Sequence, residues 1–200
     1  MVVAALLMAT VTVAHGRGAR GQAEMGGPPL VALAGTWFEI AAYGSWWQPR
    51  CVQDVSLELE VRAATRAMLH GRCRTGSGRD ERRGVLRADG VDGSWRARFA
   101  PRLFSWLPAV WSDFWVVGYD TGEHPGWMVV GERSHTRLSI LARWRVLDEA
   151  ALARALAAAR QAGFDIDRLE PTPHAPDGWR QFETPQRSPG PVGTAGRRAG

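Results

Sequence analysis

Between residues 36 and 144, apolar and polar side chains alternate with period two over short segments separated by turn residues, as in half-buried antiparallel strands. The pattern predicts strands near residues 36–43, 53–61, 66–74, 81–88, 94–101, 113–120, 126–132 and 137–144. The second is the clearest: Val55, Leu57, Leu59 and Val61 alternate with Ser56, Glu58, Glu60 and Arg62, giving one dry and one wet face. Two segments break the alternation. Phe114-Trp115-Val116-Val117 and Trp127-Met128-Val129-Val130 are apolar throughout, which predicts burial on both faces. A single helix follows the last strand, with Asp148 as its N-cap, Leu147 and Leu152 as a hydrophobic staple, and Gly163 at its end. Its stripe of Leu152, Ala155, Leu156 and Ala159 needs an apolar surface, and the two unbroken strands supply one.

A hairpin turning near Arg62 would set Val55 opposite Leu69, Leu57 opposite Ala67, Cys51 opposite Cys73, and Glu58 opposite Arg66 on the outer side. Cys51 and Cys73 are the only cysteines, nothing near them has metal-ligand spacing, and a disulfide between them is expected. Neither a metal nor a cofactor is expected.

The ends of the chain differ from its middle. Residues 2–14 form an apolar run too short to span a bilayer, and residues 1–29 read as a signal peptide and linker. From residue 171 to 200 the chain holds six of its twelve prolines and few large apolar side chains, so a disordered tail is expected. The domain therefore spans residues 30–170. Every basic side chain is an arginine, and the net charge of +5 looks spread along the sequence instead of gathered into a stripe, which argues against a nucleic-acid partner.

Three short motifs occur in order. Gly35-Thr36-Trp37 opens the first strand, Gly118-Tyr119-Asp120 closes the sixth, and Arg143 ends the last. With the single terminal helix, they resemble the lipocalins, and most nearly the bacterial members related to apolipoprotein D. The resemblance implies an all-β fold: an eight-stranded antiparallel up-and-down barrel with one C-terminal helix packed on its outside. It also implies that Arg143 packs across the indole of Trp37 and closes one end. Many bacterial members carry an N-terminal lipoprotein cysteine, which this sequence lacks before Cys51, so a periplasmic or secreted protein without a lipid anchor is expected. Ser139 stands where close relatives place a pocket tryptophan.

With Trp37 and Arg143 at the closed end, the first, third, fifth and seventh connections ring the mouth. The first holds Trp46 and Trp47, and the fifth holds Phe104, Trp106, Leu107 and Trp111. So much aromatic area predicts contact with a ligand or peripherally with a membrane, unless it folds inward as packing. Strand parity predicts Val55, Leu57, Leu69, Trp95, Ala97, Phe99, Trp115, Val117, Ser139 and Leu141 as the inner, ligand-binding wall. The function expected is binding and transport or storage of an apolar molecule, a fatty acid or lysophospholipid, its head near Arg50, Arg102 or Arg133. Two other readings stand beside it: an enzyme acting on an apolar substrate, and an envelope docking protein without cargo. For the enzyme, no nucleophile-and-base grouping falls on inward positions, and His70, His124 and His135 read as surface histidines.

Overall fold

The alternating segments pair in sequence order. A computed structural model describes residues 28–44, 50–89, 94–122 and 125–175. Within these lie eight consecutive antiparallel strands: β1 (Gly35–Tyr43), β2 (Cys51–Ala63), β3 (Arg66–Thr75), β4 (Gly78–Ala88), β5 (Trp95–Arg98), β6 (Ser112–Tyr119), β7 (Trp127–Gly131) and β8 (Leu138–Ala142). Each pairs with the next, β8 pairs with β1, and β1 pairs back to β2, so the sheet closes into a barrel. Closure leaves no long unpaired edge.

Two apolar clusters lie on opposite sides of this sheet. The inner one gathers Trp37, Val55, Leu57, Leu59, Ala67, Leu69, Leu86, Trp95, Ala97, Phe114, Met128, Val130 and Leu141, contributed by all eight strands. The outer one lies between β6–β8 and the helix α1 (Glu149–Gln161). Asp148 caps α1, accepting from Ala151 N at 2.8 Å. Past Gln161 the chain reverses at Gly163, whose φ of 85° suits glycine, and Phe164 N donates to Ala159 O. Three alanines, Ala151, Ala155 and Ala159, make the buried stripe, with Leu152 and Leu156 half-buried beside them. Small residues let the helix come close: a Cβ at Gly118 would lie 2.5 Å from that of Ala158.

The β2–β3 hairpin departs from the expected register. β2 runs on to Ala63 and turns at Ala64 and Thr65, so Leu57 faces Gly71, Leu59 faces Leu69, and Glu58 faces His70. Glu58 therefore pairs diagonally with Arg72, at 3.2 Å, and not with Arg66. The slip is an even number of residues, so every side chain keeps its predicted face. Register shifts between Cys51 and Ser56 then bring Cys51, which sits opposite Thr75, within a Cα separation of 5.6 Å from Cys73, and the two form a disulfide.

The chain also stays ordered past the expected boundary. A short strand, β9 (Glu170–Pro171), pairs with β1 at Ala41 and Ala42. The next residues run beside β2: Thr172 N donates to Ile40 O, and Asp54 N donates to Pro173 O. Beyond Phe38 the pairing of β1 with β2 ends, and residues 170–175 fill the seam as a strap. Unsatisfied strand edges supplied the drive that the tail's composition concealed.

Candidate functional site

The sealed end of the barrel rests on Trp37 and Arg143. Trp37 is fully buried, and its indole Nε1 donates to Leu33 O at 2.8 Å, tying β1 to the 3-10 turn Leu30–Leu33 that crosses the base. The Arg143 guanidinium lies 3.7 Å from the centre of the indole ring. It donates to the carbonyls of Ala32, Thr36 and Pro125 at 3.1–3.3 Å, and its burial lowers its pKa from the usual arginine range. Gly35 has a φ of 96°, and a Cβ there would stand 3.2 Å from Arg143 Nη1. The spacing glycine-x-tryptophan thus has a local cause: the backbone conformation strains any other residue, and the arginine packs tightly against the position. A cleft of about 490 Å³ lies beneath this base, lined by residues 28–31, residues 61–64 and Trp95.

Above the base the inner wall is apolar. Val55, Leu57, Leu69, Trp95, Ala97 and Leu141 all point inward and are buried, and Phe99 packs half-buried against them, its ring over Gly84. Trp115 and Val117 do not belong to this wall. Phe114 pairs with the inward Trp95, so β6 turns Phe114 and Val116 inside and presents Trp115 and Val117 to the helix. In an unbroken apolar run parity carries no information about which face is which, and only the neighbouring strand decides it.

Glu39 and Ser139 place a polar row in the inner wall. Glu39 on β1 is buried between Ser139 on β8, whose Oγ donates to Oε2 at 3.1 Å, and Thr172 on the strap, whose Oγ1 donates to Oε1 at 3.0 Å. Burial raises the carboxyl pKa above its ordinary value, and the two hydroxyl donors only partly oppose this. Ser139 is therefore inward as expected, but it is occupied in holding Glu39. The signal for this row lay in a glutamate at an inward position of β1, which strand parity alone could have singled out.

The strap is held by a second polar group in the seam. His174 Nε2 lies 2.7 Å from Glu39 O, its ring meets Phe38 edge-on, and Nδ1 is 3.8 Å from Asp54 Oδ1. Asp54, buried with a φ of 55°, also accepts from Ala175 N at 2.9 Å and faces Arg74 Nε at 3.3 Å. Burial lowers the His174 pKa, against the pull of the Glu39 carbonyl and Asp54.

The mouth connections divide. Trp46 and Trp47, like His124, lie outside the described residues. On the connection between β5 and β6, Leu103 and Trp106 are each 76% exposed and Phe104 is 44% exposed. Trp111 instead lies on the outer wall, its ring 3.9 Å from the Arg87 guanidinium and 5.2 Å from that of Arg98. Arg133 stacks over Trp115, also on the outer wall, while Arg50 and Arg102 are exposed. Of the three histidines expected at the surface, His70 lies on the outer face of β3, 3.9 Å from Glu60, and His135 is exposed in the turn before β8. No group of three metal-ligating side chains occurs among the described residues.

Folding also gathers charge that looked dispersed. On the outer face of β3–β5, Arg66 faces Arg87, which faces Arg96, and Arg74 faces Arg79. His70 faces Arg83, and Arg72 faces the one acidic residue on this face, Glu81. Spacing of two along each strand and antiparallel pairing stack the arginines into a ladder.

A closed meander barrel with an arginine-sealed base, an apolar inner wall and one helix on its flank defines an up-and-down β-barrel of the lipocalin kind. The family model for the lipocalin-like domain matches residues 30–174, and the chain belongs to that family, whose members generally bind small hydrophobic ligands. Solved structures agree on the fold. Lobster apocrustacyanin A1 is 13% identical, with a TM-score of 0.58 over 72% of this chain and 79% of its own. The cockroach allergen Per a 4 is 13% identical, with a TM-score of 0.57 over 76% and 91%. The siderocalin Ex-FABP is 12% identical, with a TM-score of 0.51 over 72% and 91%, and is described as having dual ligand specificities. No curated protein matches the sequence.

Proposed function

We propose that this lipocalin-like protein binds and carries a single-chain lipid, a fatty acid or lysophospholipid, inside its barrel, in the periplasm or outside the cell. The observation that carries the reading is the inner wall: apolar side chains from all eight strands converge above a sealed base. An alkyl chain laid against such a wall gains about 0.8 kcal/mol per buried methylene. Glu39 supports a particular orientation. A carboxylate or phosphate beside this buried carboxyl would meet no cation, so the ligand enters tail first and leaves its anionic head at the mouth, where Arg50 and Arg102 are exposed. The Cys51–Cys73 bridge supports an oxidising compartment.

Purification without detergent, followed by native mass spectrometry and displacement of a fluorescent fatty acid, tests this. Bound chains of about twelve to eighteen carbons, and loss of displacement in Leu69→Arg with the fold intact by circular dichroism, are expected. A protein that takes no chain longer than about ten carbons overturns the reading.

A further inference from the structure

We propose that the outer wall of β3–β5, with the exposed connection that follows β5, docks the protein onto an anionic phospholipid bilayer. This surface is separate from the inner wall, and the inference does not depend on what the barrel carries.

Three observations place the occupant. The first is charge. Arg66 and Arg83 are exposed, have no ion pair among the described residues, and face another arginine or a histidine across the ladder. Like charges directly opposed destabilise a sheet, so the arrangement costs stability until an external anion relieves it. Most nearby acids are already engaged: Glu58 and Glu81 with Arg72, Glu60 with Arg62, Asp54 with Arg74, and Asp113 with Arg96, while Asp89 just past β4 is exposed.

The second is continuity between charge and apolar surface. Arg98 donates to the carbonyls of Ala100 and Pro101 at 2.8 Å, and Trp111 lies against Arg87. Trp111 Nε1 in turn donates to Ser105 O at 2.9 Å, which anchors the tip of the connection beside the ladder. From that tip Leu103, Phe104 and Trp106 project into solvent, and between residues 99 and 112 the sequence has no acidic residue. A soluble polyanion has no use for an exposed leucine and tryptophan. A bilayer uses both features at once, lipid phosphates meeting arginines while apolar side chains enter the acyl boundary.

The third is the elimination of nearer occupants. The sequence outside the described residues is itself basic at both ends: residues 1–27 hold Arg17 and Arg20 against Glu24, and residues 176–200 hold Arg180, Arg187, Arg197 and Arg198 against Asp177 and Glu183. A second copy, with a net charge of +5, would bring more of the same sign.

Co-sedimentation of the full chain with phosphatidylglycerol/phosphatidylcholine vesicles, against pure phosphatidylcholine, tests the proposal. Binding to the anionic vesicles is expected, weakening as salt rises. R66Q/R83Q should lower the affinity roughly thirtyfold, at about fivefold per arginine. L103S/W106S should reduce it by about tenfold or more while leaving the melting temperature unchanged. Equal sedimentation with both vesicle types, or binding indifferent to both variants, overturns the proposal. So does heparin binding as tight as vesicle binding and unaffected by L103S/W106S, which would mark a site for soluble polyanions. Fluorescent fatty-acid displacement should be unchanged in R66Q/R83Q, so failure of docking and failure of the cargo reading are told apart.

Discussion

Two outer walls of one barrel have met opposite fates. Over β6–β8 the strands are apolar on both faces, and α1 covers the outer one with alanines and leucines. Over β3–β5 the outer face carries arginines and, among the described residues, no helix, and the structure is secured from within by the disulfide between β2 and β3. A barrel closed by hydrogen bonds can leave one side to water. What it places on that side is then free to serve contact with other molecules.

The comparison can be broken most severely beneath the helix. Ala155→Asp would bury an unpaired carboxylate in the outer cluster, and a loss on the order of 3–5 kcal/mol is expected in urea unfolding. Arg83→Asp, on the other wall, should change stability by less than about 0.5 kcal/mol. If the two substitutions cost the same, the walls do not differ as described. Replacing Cys51 and Cys73 by serine should cost about 3 kcal/mol, with hydrogen exchange rising first in β2 and β3 while β6 to β8 stay protected. Gly118→Ala should cost about 1–3 kcal/mol because its new methyl has no room beside Ala158; an unchanged denaturation midpoint would show that the helix shifts freely.

The smaller effects concern the strap and the bare wall. The folded-state pKa of His174 lies below its usual value, so its contribution to stability is complete above about pH 6.5 and is lost as pH falls through the folded value. Glu39 has the opposite sign. Its raised pKa gives a contribution complete below about pH 4.5 that fades as pH rises through the folded value. His174→Gln should therefore remove part of the fall in melting temperature below about pH 6.5, and Glu39→Gln part of the fall above about pH 4.5; profiles identical to the parent would deny both groups a role. Arg66→Gln should leave stability within about 0.5 kcal/mol, with any gain disappearing in high salt.

Much of this architecture is legible in the sequence. Alternation in Val55-Ser56-Leu57-Glu58 marks a half-buried strand in any context, and Asp148 followed by an alanine-rich run marks a helix start. The motif residues Gly35, Trp37 and Arg143 were legible as a set through resemblance, and the structure supplies their reason in a stack 3.7 Å deep. Less could be read of the site. Trp115 and Val117 occupy the helix side because one residue of parity in an apolar run is undetermined until β5 sets it. Glu39 joins Ser139 and Thr172 from positions 100 and 133 residues away in the chain.

The division follows the range of the forces. Period, caps, turn chemistry and the even spacing that keeps a face dry are written in neighbouring residues, and these were determined by the sequence alone. The β2–β3 register, the strap in the seam and the gathering of scattered arginines into one ladder depend on which distant strands come to lie side by side. Only closure of the sheet decided those, because pairing fixes the lateral neighbours that no local window contains.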